Sequence, residues 1–254
     1  MHAARARLPL LAALLAAALL LLSAGPVRAA APARATAPVY SGTGWQIWTD
    51  AQIHSLDTRD PYLFTFADTA SRTRLTPYAT AVATQLREVT GLTFTVTSIV
   101  EAPPEAGSCP AEHHLILGVA YRPTSVKGMS HAWPCYTNRP GQPDDHAAWG
   151  GWALIDTEYW QAAWFSSNAT VNTARIKNAV THEIGHLVGL DHPNTDVDHD
   201  GLVEDYECVK TTKGYLPVMC APGLGGYTTA GGGGLFTSRD TPGLVQLVNN
   251  YGMG

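Results

Sequence analysis

The sequence predicts a mixed α+β domain, a twisted sheet accompanied by a few helices around one core. Three observations lead there. Short runs at 62–66, 94–100 and 114–120 have the aromatic and β-branched content of strands. Ile176, Val180, Ile184 and Leu187 recur at the spacing of one helix face. No internal repeat or linker divides the 254 residues into two cores, and with 45% hydrophobic residues the chain can bury one.

Each element follows from its residues. Arg5 and Arg7 precede an almost unbroken Leu/Ala run, Leu8 to Leu22, and then small residues with Gly and Pro. This predicts a secretory signal peptide over residues 1–30, with small residues for cleavage in both Val27-Arg28-Ala29 and Ala29-Ala30-Ala31. The run is 15 residues long, shorter than the roughly 20 that a spanning helix needs. Residues 31–43, rich in Ala, Pro and Thr, read as a flexible leader, and 44–254 as the folded domain. Gly44 to Asp50 and Tyr62 to Phe66 read as strands, and Tyr78 to Val89 as a helix stopped by Gly91. Phe94 to Val100 and His114 to Ala120 read as further strands. Between Arg122 and Gly151 the abundance of Pro, Gly, Asp and Trp predicts a long surface loop pinned by Cys135, before a strand at Trp152 to Ile155. Thr173 to Val188 carries the helical stripe. Turns and glycines follow Gly189, until the amphipathic stretch Leu244 to Val248 ahead of Gly252.

Export would place the four cysteines in an oxidising compartment. Three pairings are possible; because the two middle cysteines and the two late ones fall in separate stretches, Cys109 with Cys135 and Cys208 with Cys220 are favoured. The net charge of −5 becomes about −8 without Arg5, Arg7 and Arg28. That provides no basic field for phosphates, so nucleic acid is not an expected partner. A free, secreted, extracellular monomer is expected, without membrane attachment after signal removal.

The chemistry concentrates in His182, Glu183, His186, Gly189 and His192. Two histidines four apart on a helix stand one turn above each other, so both imidazoles can reach one metal ion. Glu183 can face a water there without being a ligand. Gly189 can take the left-handed conformation that ends a helix, and the turned chain can return His192 as a third ligand. Three nitrogens and an open position describe a catalytic zinc site.

With these residues the chain resembles the metzincin zinc endopeptidases, whose H-E-x-x-H-x-x-G-x-x-H pattern it carries in full. Among metzincins it is most similar to matrixins, through Leu216-Pro217-Val218-Met219-Cys220 and the ending from Phe236-Thr237-Ser238-Arg239-Asp240 to Tyr251-Gly252. The resemblance implies a twisted mixed sheet with an active-site helix and a C-terminal helix, Met219 in a tight turn beneath the metal, and Asp240 as a buried polar partner near the active-site helix. It implies hydrolysis of a protein or peptide substrate, with Glu183 taking a proton from water and passing it to the leaving amine. It also implies an extended peptide adding to a strand edge, here assigned to Trp152–Ile155. The chain departs from the family in several places. No cysteine lies between signal and first strand to hold the enzyme latent. Ala221 stands where astacin-like and serralysin-like members have a tyrosine ligand. The proline beyond the Met is displaced to Pro222. Asn178, at the floor of the matrixin specificity pocket, implies a pocket less purely apolar than usual.

A second metal signal follows. Asp196, Asp198, Asp200, Gly201 and Glu207 fit the D-x-D-x-D-G-x5-E calcium loop, with the Leu202 carbonyl as a further ligand and Val203 apolar. Pro193 denies it the entering helix of an EF-hand, and the competing reading is a plain acidic turn. His113, His114, His131 and His146, with Asp144 and Asp145, form a fainter metal candidate, and Trp133, Trp149, Trp152, Trp160 and Trp164 read mainly as packing. Two other functions compete: a secreted zinc- and calcium-binding module without catalysis, which would not require Glu183, and a zinc amidohydrolase acting on a non-protein amide.

Overall fold

The computed structural model describes residues 37–139, 141–223 and 225–253; the expected signal peptide and residues 31–36 of the leader lie outside them. The chain begins with a small hairpin, β1 (Ser41–Gly42) and β2 (Trp45–Ile47), followed by a short 3-10 turn at Thr49–Ala51. Strands β3 (Ile53–Leu56) and β4 (Tyr62–Phe66) lead to helix α1 (Thr69–Thr90). Next come β5 (Phe94–Val100), β6 (His114–Ala120), β7 (His131–Arg139) and β8 (Gln142–Asp156). Helix α2 (Ala169–Leu187), the short β9 (Leu190–Asp191) and helix α3 (Thr241–Tyr251) complete the order.

The main sheet is mixed. Its order is β3-β8-β6-β4-β5, with every neighbouring pair parallel, while β7 joins β8 antiparallel. Helix α1 packs on β4, β5 and β6, α2 on β7 and β8, and α3 on β2 and β3. Alternate residues of the strands supply the core: Tyr62, Phe64 and Phe66 from β4, Leu115 and Leu117 from β6, Ala153 and Ile155 from β8. The helices answer with Leu75, Ala79, Val82 and Leu86 from α1, the Ile176/Val180/Ile184/Leu187 stripe from α2, and Leu244 and Leu247 from α3. Among the described residues no helix is long and apolar enough to cross a membrane.

Four sequence expectations are corrected. The expected loop over 122–151 is largely the β7–β8 hairpin, and the Cys109–Cys135 disulfide ties β7 to the segment ahead of β6. Pro134 had argued against a strand, but β7 pairs on one side only, and on an edge strand the missing N–H costs no ladder bond. Trp152–Ile155 is accordingly not an edge: β6 pairs with it on one side and β7 on the other. Helix α1 starts nine residues ahead of Tyr78, at the Asp68 cap that accepts from the Ser71 N–H (2.7 Å), and runs through Pro77, which sits on its exposed face where the carbonyl left unbonded can meet water. Of the leader, residues 39–42 are paired: the Asn250 side chain bonds both backbone groups of Val39, and Ser41 lies opposite Gln46.

Candidate metal centre

Helix α2 builds the site. Asn168 caps it by accepting from the Val171 N–H at 3.1 Å, and its apolar stripe anchors it under the sheet. That leaves His182 and His186, four residues apart, side by side at the edge of the buried face, each 6% exposed. The helix stops at Val188 because Gly189 takes φ +102°, and a side chain there would press on Ile53 at 2.9 Å and Leu247 at 3.1 Å. The reversed chain then pairs β9 with β2, Leu190 opposite Ile47 and Asp191 opposite Gln46, and delivers His192 to the other two histidines. The three Nε2 atoms lie 3.1 Å from one another. They form a group able to hold a metal ion.

Hydrogen bonding settles which nitrogens are free. Nδ1 of His182 donates to the Val218 carbonyl and Nδ1 of His186 to that of Leu190, both at 2.9 Å. A carbonyl can only accept, so the proton sits on Nδ1 and the lone pair on Nε2 of each ring points inward. Burial pushes the pKa of His182 down to about 4, that of His186 well below the imidazole range, and lowers that of His192. All three are therefore neutral at physiological pH, the form that binds metal. Glu183 is also buried, and burial pushes its carboxyl up to about 8.

Beneath the histidines runs the segment around Met219. Gly185 of α2 makes room for it, since a side chain there would meet the Met219 sulfur at 2.3 Å. Asp240 is fully buried and accepts from the backbone N–H groups of Val218 (2.9 Å) and Met219 (3.1 Å) and from Thr237 (2.7 Å). It thus braces the Met219 turn, whose Val218 carbonyl in turn orients His182. Asn178 is buried with its amide fully used, donating to the carbonyls of Gly225 (2.8 Å) and Tyr227 (3.0 Å) and accepting from the Gly234 N–H (2.7 Å). It ties the glycine-rich loop to α2.

The acidic loop runs directly into Cys208, whose disulfide to Cys220 anchors its C-terminal end beside Met219. Carboxylate oxygens of Asp196, Asp198 and Glu207 gather in one group and those of Asp198, Asp200 and Glu204 in a second, each within 4.8 Å. Gly201 turns the chain at φ +94°, while Leu202 points its side chain outward. Glu204 was missed from sequence. It occupies a variable place in the calcium-loop pattern, and its contact with Glu207 raises its pKa. The fainter histidine candidate does not converge. His114 binds Glu101 at 2.6 Å, His146 contacts the Gln52 carbonyl at 3.0 Å, His131 packs tilted against Trp133, and buried His113 lies edge-on to Tyr62; the side chain of Asp144 lies outside the described residues. Trp48 was also missed: its ring lies 4.8 Å from that of His186, a contact from far upstream that no local spacing announces.

Comparison with protein-family models, with curated proteins and with solved structures finds no match to this chain.

Proposed function

We propose that the protein is a secreted zinc-dependent endopeptidase of metzincin type. The observation that carries this reading is the convergence of three neutral imidazole Nε2 atoms at 3.1 Å, with the Glu183 carboxyl adjoining them in sequence on the same buried helix. Zinc–nitrogen bonds of about 2.0–2.1 Å at tetrahedral angles set nitrogens roughly 3.3 Å apart, so the histidines fit that ion with little adjustment. Zinc there supplies Lewis acidity toward a water and a peptide carbonyl.

The remaining work belongs to the chain. His182 and His186 present lone pairs because Val218 and Leu190 hold their other nitrogens. Glu183 accepts the proton of the attacking water and returns it to the leaving amine. Burial raises its pKa, a neighbouring dication lowers it, and the balance leaves it able to do both near neutrality. An extended substrate would add along the free edge of β7 rather than to β8, which is paired on both sides. The acidic loop between His192 and Met219 would take calcium through the oxygens of Asp196, Asp198, Asp200, Glu207 and the Leu202 carbonyl, with Glu204 beside them. Two disulfides support an oxidising, extracellular setting.

The test is a cleavage profile of purified protein on a denatured proteome, beside elemental analysis. Stoichiometric zinc with cleavage that Glu183→Ala abolishes is expected. Zinc without cleavage of any peptide bond would leave a metal-binding module or a hydrolase of other amides.

A further inference from the structure

Helix α2 sets His182 and His186 by itself, but His192 lies beyond a glycine turn on a strand of only two residues. A segment so short does not hold its position unaided. It is held from the opposite end of the chain. The ladder of β2 pairs Ile47 with Leu190 and Gln46 with Asp191, and the Trp48 N–H donates to the Gly189 carbonyl at 2.9 Å. Leu190 is engaged twice, for its carbonyl also takes the Nδ1 proton of His186. The Trp48 ring then covers that same imidazole, 4.8 Å between centroids at 50°.

Resting on the metal reading above, we propose that residues 46–48 form a positioning element for the histidine site, with Trp48 as its principal positioning residue. One strand fixes the turn that brings in His192, and the side chain just after it packs against His186, so two of the three ligands depend on residues 46–48. A histidine ring kept at the right angle and shielded from water on one flank binds metal more durably than a free one. Ile47 is fully buried and anchors the strand, whereas Trp48 is only half-buried, so its ring can be cut back without emptying the core.

The experiment compares the zinc-loaded protein with Trp48→Ala, Trp48→Phe and Tyr78→Ala, the last removing a half-buried aromatic ring from α1 beside Trp160. Zinc transfer to excess chromogenic chelator is timed. Trp48→Ala should release zinc about 10- to 100-fold faster, Trp48→Phe should stay within about threefold of the parent, and Tyr78→Ala should match it. In metal-stripped protein, amide hydrogen exchange over 189–192 should quicken in Trp48→Ala and not in Tyr78→Ala. A parental release rate in Trp48→Ala, or equal acceleration in Tyr78→Ala, overturns the proposal. A parent that takes up no zinc overturns the metal reading before any variant is compared, and the exchange measurement then decides whether the strand holds the turn.

Discussion

At the scale of single residues the site is a set of buried groups kept in their uncharged forms, and three predictions follow from that chemistry. On the proposed zinc site, which uses all three Nε2 lone pairs, His186→Ala should strip the metal; elemental analysis finding stoichiometric zinc in that variant would sink the assignment. On the proposed mechanism, in which Glu183 carries protons without being a ligand, Glu183→Ala should keep zinc and lose about 10² to 10⁴ in hydrolysis of casein. The third concerns pH in metal-free protein. His182 titrates at about 4 when folded and 6.5 when unfolded. The unfolded chain therefore takes up the proton first, and the stability this histidine contributes is complete above pH 6.5 and lost as pH falls to 4. Glu183 has the opposite sign. Its folded value of about 8 exceeds the ordinary 4.5, so the folded state keeps a proton the unfolded state has released, and stability declines between those pH values. Each shift corresponds to at most about 3 to 5 kcal/mol. In melting curves the parent should lose ground to His182→Gln from pH 6.5 to 4, and to Glu183→Gln from pH 4.5 to 8; parallel curves would contradict both assignments.

At the scale of elements, the helix and the Met219 turn are fitted to each other at Gly185. Gly185→Ala would drive a methyl into the Met219 sulfur, with Phe236 also only 3.2 Å away. A packed core answers such insertion with a cost of about 1–3 kcal/mol, read as a lowered urea midpoint with unchanged slope. The acidic loop makes a separate prediction. Its carboxylates crowd one another, in two groups each within 4.8 Å, and the side-chain contact with Glu207 raises the pKa of Glu204. Calcium should therefore raise the melting temperature of the zinc-loaded protein by mass action, and Asp198→Ala/Asp200→Ala should abolish that response. An equal calcium response in parent and variant would mean a solvated acidic turn.

At the scale of the whole molecule, two disulfides close loops over separations of 26 and 12 residues, one tying the segment ahead of β6 to β7 and one spanning from the end of the acidic loop to the residue after Met219. Replacing either pair by serine should cost about 2–4 kcal/mol, somewhat more for the longer loop, measured by denaturant unfolding of the metal-loaded protein. Much of this architecture was legible in sequence wherever the signal was local. Tyr62–Phe66, Phe94–Val100 and His114–Ala120 are strands with the bounds expected from their residue types, and the helical stripe placed α2. The β7–β8 hairpin was not legible, because Pro134, Gly150 and Gly151 have the composition of a loop and only the pairing of two such stretches makes a strand of each.

The sequence by itself determined the mixed class, the histidine triad of His182, His186 and His192, the left-handed turn at Gly189 and the favoured cysteine pairs, because each is a matter of residue type at short spacing. Tertiary structure alone decided which strand is the sheet edge, that Asp240 braces Met219, that Asn178 ties down a loop, and that Trp48 covers His186. These are contacts between residues distant along the chain. They form only when packing brings separate elements together, and no periodicity within either element encodes the partner it will meet.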